Sequence, residues 1–157
     1  MERSESQRKY YDGNKVAIMS AQRKRRNTIR HNGLRTVYCA GKMTGLPGLG
    51  FDKFDAARDK LQREGWLVYS PADNDRKNGF DPDADTVETS PSQYSEMFRW
   101  DIARLLEADA IYMLSNWRDS EGAITEHRIA KAIGLDIMYE GRDATRGASL
   151  SDAEASQ

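Results

Sequence analysis

The sequence predicts an α/β protein built on a parallel β-sheet with helices on both faces, and three observations carry that prediction. Short apolar runs of strand type alternate with helical periods from residue 36 to residue 140, the pattern of β–α–β crossovers. Glycines stand where strands and helices should end, at Gly41, Gly65 and Gly134, as caps and turns require. Two carboxylates, Asp101 and Glu126, fall on helical stripes otherwise occupied by apolar side chains. In a parallel α/β sheet, ligands bind beyond the carboxyl ends of the strands, so misplaced acids near that edge suggest a site.

The elements follow in order. Thr36-Val37-Tyr38-Cys39-Ala40 is the first strand, and the Gly-rich loop from Gly41 to Gly50 follows it. Phe51 to Glu64 reads as a helix, with Phe51, Phe54, Ala57 and Leu61 on one face. Trp66 to Tyr69 is the second strand, and residues 71–89 form a polar, acidic connection too long for a simple turn. Ser90, Pro91 and Gln93 make a capping box for a helix reaching about Ala108, and Ala110 to Leu114 is the third strand. After a loop over 115–121, Gly122 opens a helix that ends at Gly134, and Asp136 to Tyr139 is the last strand.

Flanking segments differ from this body. Residues 1–35 hold ten Lys and Arg against three acids, while residues 36–157 hold fourteen against twenty-two. The leader, residues 1–34, reads as a basic, disordered extension suited also to transient nucleic-acid contact. Residues 141–157 read as a disordered tail. Cys39 is the single cysteine, so no intrachain disulfide forms and a cytoplasmic setting is expected. Its strand position marks it as a core residue. No apolar run approaches the ~18 residues of a membrane span, so no membrane association is expected.

Asp101 shares its stripe with Tyr94, Met97, Phe98, Ile102 and Leu105, and Glu126 shares one with Ile129, Ala130 and Ile133. An unpaired buried carboxylate is costly or has its pKa pushed upward. The structural alternative pairs Asp101 with Arg99 or Arg104, and Glu126 with Arg128 or a lysine. The functional reading is glycosyl chemistry, in which one carboxylate attacks an anomeric carbon and the other manages the leaving group's proton. It needs no metal and no cofactor. The loop after the first strand has neither the Gly-Lys-Ser/Thr of a Walker loop nor a Gly-x-Gly-x-x-Gly register. Its glycines would let backbone amides approach a sugar or phosphate, with Lys42 and Arg118 supplying positive charge. Asp81, Asp83 and Asp85 start like a calcium loop but lack its Gly and its final Glu. His31 and His127 have no partner at zinc-ligand spacing, and there is no serine elbow.

Val37-Tyr38-Cys39-Ala40-Gly41-Lys42-Met43-Thr44-Gly45, Trp100-Asp101-Ile102 and Asp119-Ser120-Glu121-Gly122-Ala123-Ile124-Thr125-Glu126 followed by Ala132-Ile133-Gly134 resemble the nucleoside 2-deoxyribosyltransferase superfamily. The likeness is closest to its small uncharacterised phage and bacterial deoxyribosyltransferase-like members. It covers about residues 36–140. The resemblance implies a flavodoxin-like, three-layer fold, homo-oligomers, and a nucleoside or nucleotide substrate. It implies Glu126 as nucleophile, Asp101 as the carboxylate that meets the base, and Tyr38 as the residue that orients the nucleophile. Substrate contacts would come from Gly41, Lys42, Met43, Thr44, Gly45, Trp117, Ser120 and Gly122. The chain departs from the family at Ser120, where an acid is usual, at Lys42, where proline is usual, and in lacking a clear C-terminal Asn. The expected activity is N-glycosidic cleavage or base exchange. Cleavage of NAD or an ADP-ribose compound, and a non-catalytic nucleotide-binding module, remain open alternatives.

Overall fold

The computed structural model describes residues 4–81, 83 and 89–142. Four strands, β1 (Thr36–Ala40), β2 (Leu67–Tyr69), β3 (Ala110–Met113) and β4 (Asp136–Tyr139), form one sheet in the order β2-β1-β3-β4. Every pairing is parallel, with Tyr38 opposite both Tyr69 and Ile111. The helices are α1 (Glu5–Arg30), α2 (Phe51–Arg63), α3 (Pro71–Lys77), α4 (Pro91–Glu107) and α5 (Glu121–Ile133).

Alternation along the strands builds two cores. Val37, Cys39, Ala110 and Tyr112 pack with Phe51, Phe54 and Leu61 of α2. Tyr38, Ala40, Ile111 and Met113 face the other way, onto Leu105 of α4 and Ala123 and Ala130 of α5. The result is a three-layer, doubly wound α/β sandwich of flavodoxin-like type. β1 is fully buried along its length, as a central parallel strand requires. The strand order reverses between β1 and β3, which opens a crevice at their carboxyl ends.

The capping box is formed as expected: Ser90 Oγ accepts from Gln93 N, and Gln93 Oε1 accepts from Ser90 N. Two expectations are corrected. Part of the connection at 71–89 is the short helix α3, begun by Pro71, whose fixed φ suits a first helical turn. The leader is not disordered over Glu5–Arg30 but helical. Arg23 of α1, 3% exposed, donates to the carbonyls of Ile133 and Gly134 at 3.2 and 3.1 Å, capping α5 where its dipole is negative. Val16 covers Gly134, where an added Cβ would lie 2.3 Å from Val16 Cγ1. The anchor is a cation on a helix end, so apolar periodicity could not announce it. Beyond residue 142 the predicted tail lies outside the described residues, as do 82 and 84–88 of the acidic connection. No helix among the described residues is long and apolar enough to cross a membrane.

Candidate functional site

Tyr38 is the middle residue of β1, and strand alternation points it at the layer holding α4 and α5. Glu126 arrives from the opposite direction. Ser120 caps α5 by accepting from Ala123 N at 3.2 Å, and the face Ala123, Glu126, Ala130 is then buried. Glu126 is 5% exposed, and its Oε1 accepts a hydrogen bond from the Tyr38 hydroxyl at 2.7 Å. Asp101, on α4, acts on the same hydroxyl. The three residues called from the sequence as catalytic therefore meet at one point. Arg104, one of the arginines of the structural alternative, pairs instead with Glu107 at 3.2 Å.

Burial governs the electrostatics. Desolvation, then the charge of Asp101, pushes the Glu126 carboxyl up to about 8, against the pull of the Tyr38 hydrogen bond. Desolvation, then the charge of Asp75, pushes Asp101 up to about 7. Tyr38 is held well above its ordinary range by burial and by both acids, so it remains a phenol and a donor. The two carboxyls consequently hold at least one proton between them at neutral pH and titrate as a pair. One hydroxyl has one hydrogen to give. With that hydrogen directed to Glu126, the contact with Asp101 is favourable when Asp101 carries the proton and donates it to the phenolic oxygen. Burial alone puts the shared proton on Glu126, the more deeply buried of the two. The donation of Tyr38 to Oε1 opposes this, favouring an ionised Glu126 beside a protonated Asp101.

Gly41 is required for close packing. A Cβ there would lie 2.7 Å from Leu114 Cδ1 and 3.0 Å from Asn116 Oδ1. Asn116 Oδ1 also accepts from Lys42 N at 3.0 Å, which ties the loop after β1 to the loop after β3. Thr44 and Gly45 are exposed at the edge of the crevice, and Gly45 has φ +81°. Met43 is drawn instead against the α2-side core. Trp117 stacks on His127 at 4.5 Å, with the Tyr139 ring at 6.3 Å and Arg118 4.9 Å from its own ring. His127 Nε2 and the Tyr139 hydroxyl are 2.9 Å apart. Its imidazole is shifted down by burial and by the Lys131 and Arg118 charges. Ser120 is occupied as the cap, and Gly122 faces Phe98 and Tyr94 of α4.

Two features were not singled out as functional in the sequence. Asp75 of α3 is 3% exposed, and burial raises its carboxyl to about 6. It lies six residues beyond the end of β2, in a stretch without apolar periodicity that would have marked it. Tyr94 and Phe98 were read as part of a buried stripe. They stack in parallel at 6.1 Å with Tyr94 53% exposed, so the first turns of α4 stand over the start of α5 rather than in the core. Among the described residues, no group of three His, Cys, Asp or Glu is placed to hold a metal ion.

The arrangement provides a buried carboxylate with one oxygen fixed, a second carboxyl able to hold a proton, and a phenol joining them. No curated protein matches the chain. A family model does match, over residues 35–139, the span that folds into the sheet and its covering helices. The chain belongs to the family described as Domain of unknown function (DUF4406).

Proposed function

We propose that the protein cleaves the N-glycosidic bond of a nucleoside or nucleoside monophosphate, with Glu126 as nucleophile. The observation that carries this reading is the Tyr38–Glu126 hydrogen bond at 2.7 Å with Asp101 acting on the same phenol. A structural acid in this fold looks different: Asp109 is also buried but accepts from Thr36 N and Oγ1 at 2.9 and 3.2 Å, locking β1 to β3. The motif order around Glu126, Asp101 and Tyr38 resembles that of nucleoside deoxyribosyltransferases, which supports the same chemistry.

In the proposed reaction Tyr38 holds Glu126 Oε1, leaving Oε2 to attack the anomeric carbon. The C1′–N bond breaks as the new C–O ester bond forms, and its electron pair leaves with the base. Asp101 gives its proton to that base and becomes ionised. Water then attacks the glycosyl ester, Asp101 recovers a proton from it, and free sugar leaves. A second base in place of water would give exchange. Exposed Thr44 and Gly45 lie where the sugar or its phosphate would enter.

The deciding experiment incubates the purified chain with nucleosides, their 5′-monophosphates and NAD, and measures free base by chromatography. Multiple turnovers by the wild type and none by Glu126→Ala are expected. Intact ligand with clear melting shifts would instead indicate a binding module.

A further inference from the structure

The geometry points to Asp75 as a specificity-determining residue that accepts hydrogen bonds from an exocyclic amine on the base, so that the site takes amino-bearing heterocycles over their oxo counterparts. This rests on the proposed N-glycosidic substrate class and narrows it.

Asp75 sits on α3, just past the carboxyl end of β2, whose Tyr69 pairs with Tyr38. It is therefore on the ligand-binding edge, next to the strand that carries the site. Asp75 is 3% exposed as a residue, and its carboxylate takes no hydrogen bond from the described residues, in contrast to Asp109 and Glu126. The nearby cations are committed elsewhere. Arg76 donates to Asp55 at 2.8 and 2.6 Å, and Arg58 is shared among Asp55, Asp59 and Asp73. Asp75 is also coupled to the site, because its charge is felt at Asp101.

An acceptor without a protein donor gains most when a ligand supplies one in a site that excludes water. An ionised carboxylate accepts only, and a protonated one both donates and accepts. The first matches adjacent N–H groups, as on the guanine edge. The second matches an amine beside a ring nitrogen, as in cytosine and adenine, and equally a carbonyl beside a ring N–H. A ring carrying oxygen at that place, as in uracil or hypoxanthine, offers the ionised Asp75 an acceptor facing an acceptor, and the discrimination therefore belongs to the ionised form. Asp101, which handles the departing base's proton, is a separate group, so this discrimination belongs to Asp75.

The test measures kcat/KM and ligand-induced melting shift for the full chain with cytidine against uridine, adenosine against inosine, and guanosine against inosine. Each pair is run as nucleoside and 5′-monophosphate. The amino member of at least one pair should be favoured roughly tenfold. Asp75→Ala should lose that preference by weakening the amino member alone, and Asp75→Asn, whose amide can present either group, should bring the ratio near one. Equal weakening of both members by the variants would mean a structural role and overturn the inference. Parity in the wild type would overturn it as well, even where the variants fail to fold. Base release from every compound at parity removes this inference and leaves N-glycosidic cleavage standing. Melting shifts that follow the amine and vanish in Asp75→Ala, without base release, keep this inference and remove catalysis. Neither release nor shift removes both.

Discussion

The Tyr38 hydroxyl reaches from the centre of β1 to Glu126 on α5 and donates to Oε1 at 2.7 Å. Because both residues are buried, the bond sets the geometry of the acid and moderates its charge state. Tyr38→Phe deletes the hydrogen bond that pulls the pKa of Glu126 downward. The expected outcome is a cleavage rate that rises later along the pH axis than in the wild type. A stability loss of about 1–2 kcal/mol should accompany it. A pH–rate profile superimposable on the wild type would exclude this role.

Glu126→Gln keeps volume and an oxygen for Tyr38 but removes the nucleophile. Turnover should fall on the order of 10³-fold or more, with folding retained, as circular dichroism and melting would establish. Wild-type turnover in this variant would refute the assignment.

Asp101→Asn should retain ligand binding but slow cleavage by roughly 10²- to 10⁴-fold for bases that need protonation to leave. For bases that depart readily as anions the loss should be smaller. A uniform loss across good and poor leaving groups would make Asp101 structural.

Stability should depend on pH in a defined direction. Folding raises the carboxyls of Asp75, Asp101 and Glu126 to about 6, 7 and 8 from ordinary carboxylate values. Between pH 4 and 8 the native state therefore binds more protons than the unfolded state, and stability falls as pH rises. The contribution is fully present below the unfolded values and lost as pH passes the native ones. Melting temperature should decline across this window, and Glu126→Gln should flatten the decline by about 2–4 °C per 1 kcal/mol removed. A flat wild-type profile would contradict the burial of these acids.

Arg23→Ala should free α1 from the end of α5 and cost about 1–3 kcal/mol. Base release should not change, because Glu126 is about 10 Å along the helix from Ile133. Removing residues 1–34 should act in the same way. An accompanying loss of activity would show that α1 supports the site.

The strands, the capped helix at Ser90 and the two acids Asp101 and Glu126 were legible because each leaves a local or periodic trace, whereas the role of Tyr38 came from the family resemblance. β1 is apolar after Thr36, and the two acids interrupt stripes that would otherwise be greasy. Asp75 left no such trace, being one acid among many in a polar stretch, and only its position after β2 sets it apart. α1 was missed for a related reason: its anchor Arg23 is charged, and its partners are backbone carbonyls that no side-chain pattern records. Trp117 was read as a ligand contact, and the stacking of its ring on His127 beside Arg118 is visible only in three dimensions.

The pairing of β1 with β3 has a consequence for how the site comes into being. Tyr38 stands opposite Ile111, and side chains on neighbouring positions of a strand point to opposite faces. A slip of one residue would send Tyr38 into the α2 layer and present Val37 or Cys39 to Glu126. The phenol and the two acids come from three separate stretches of chain, so no fragment contains them together in the right orientation. The meeting of the three side chains is thus all-or-none with respect to a one-residue slip: it is present in the native alignment and lost when the face is flipped.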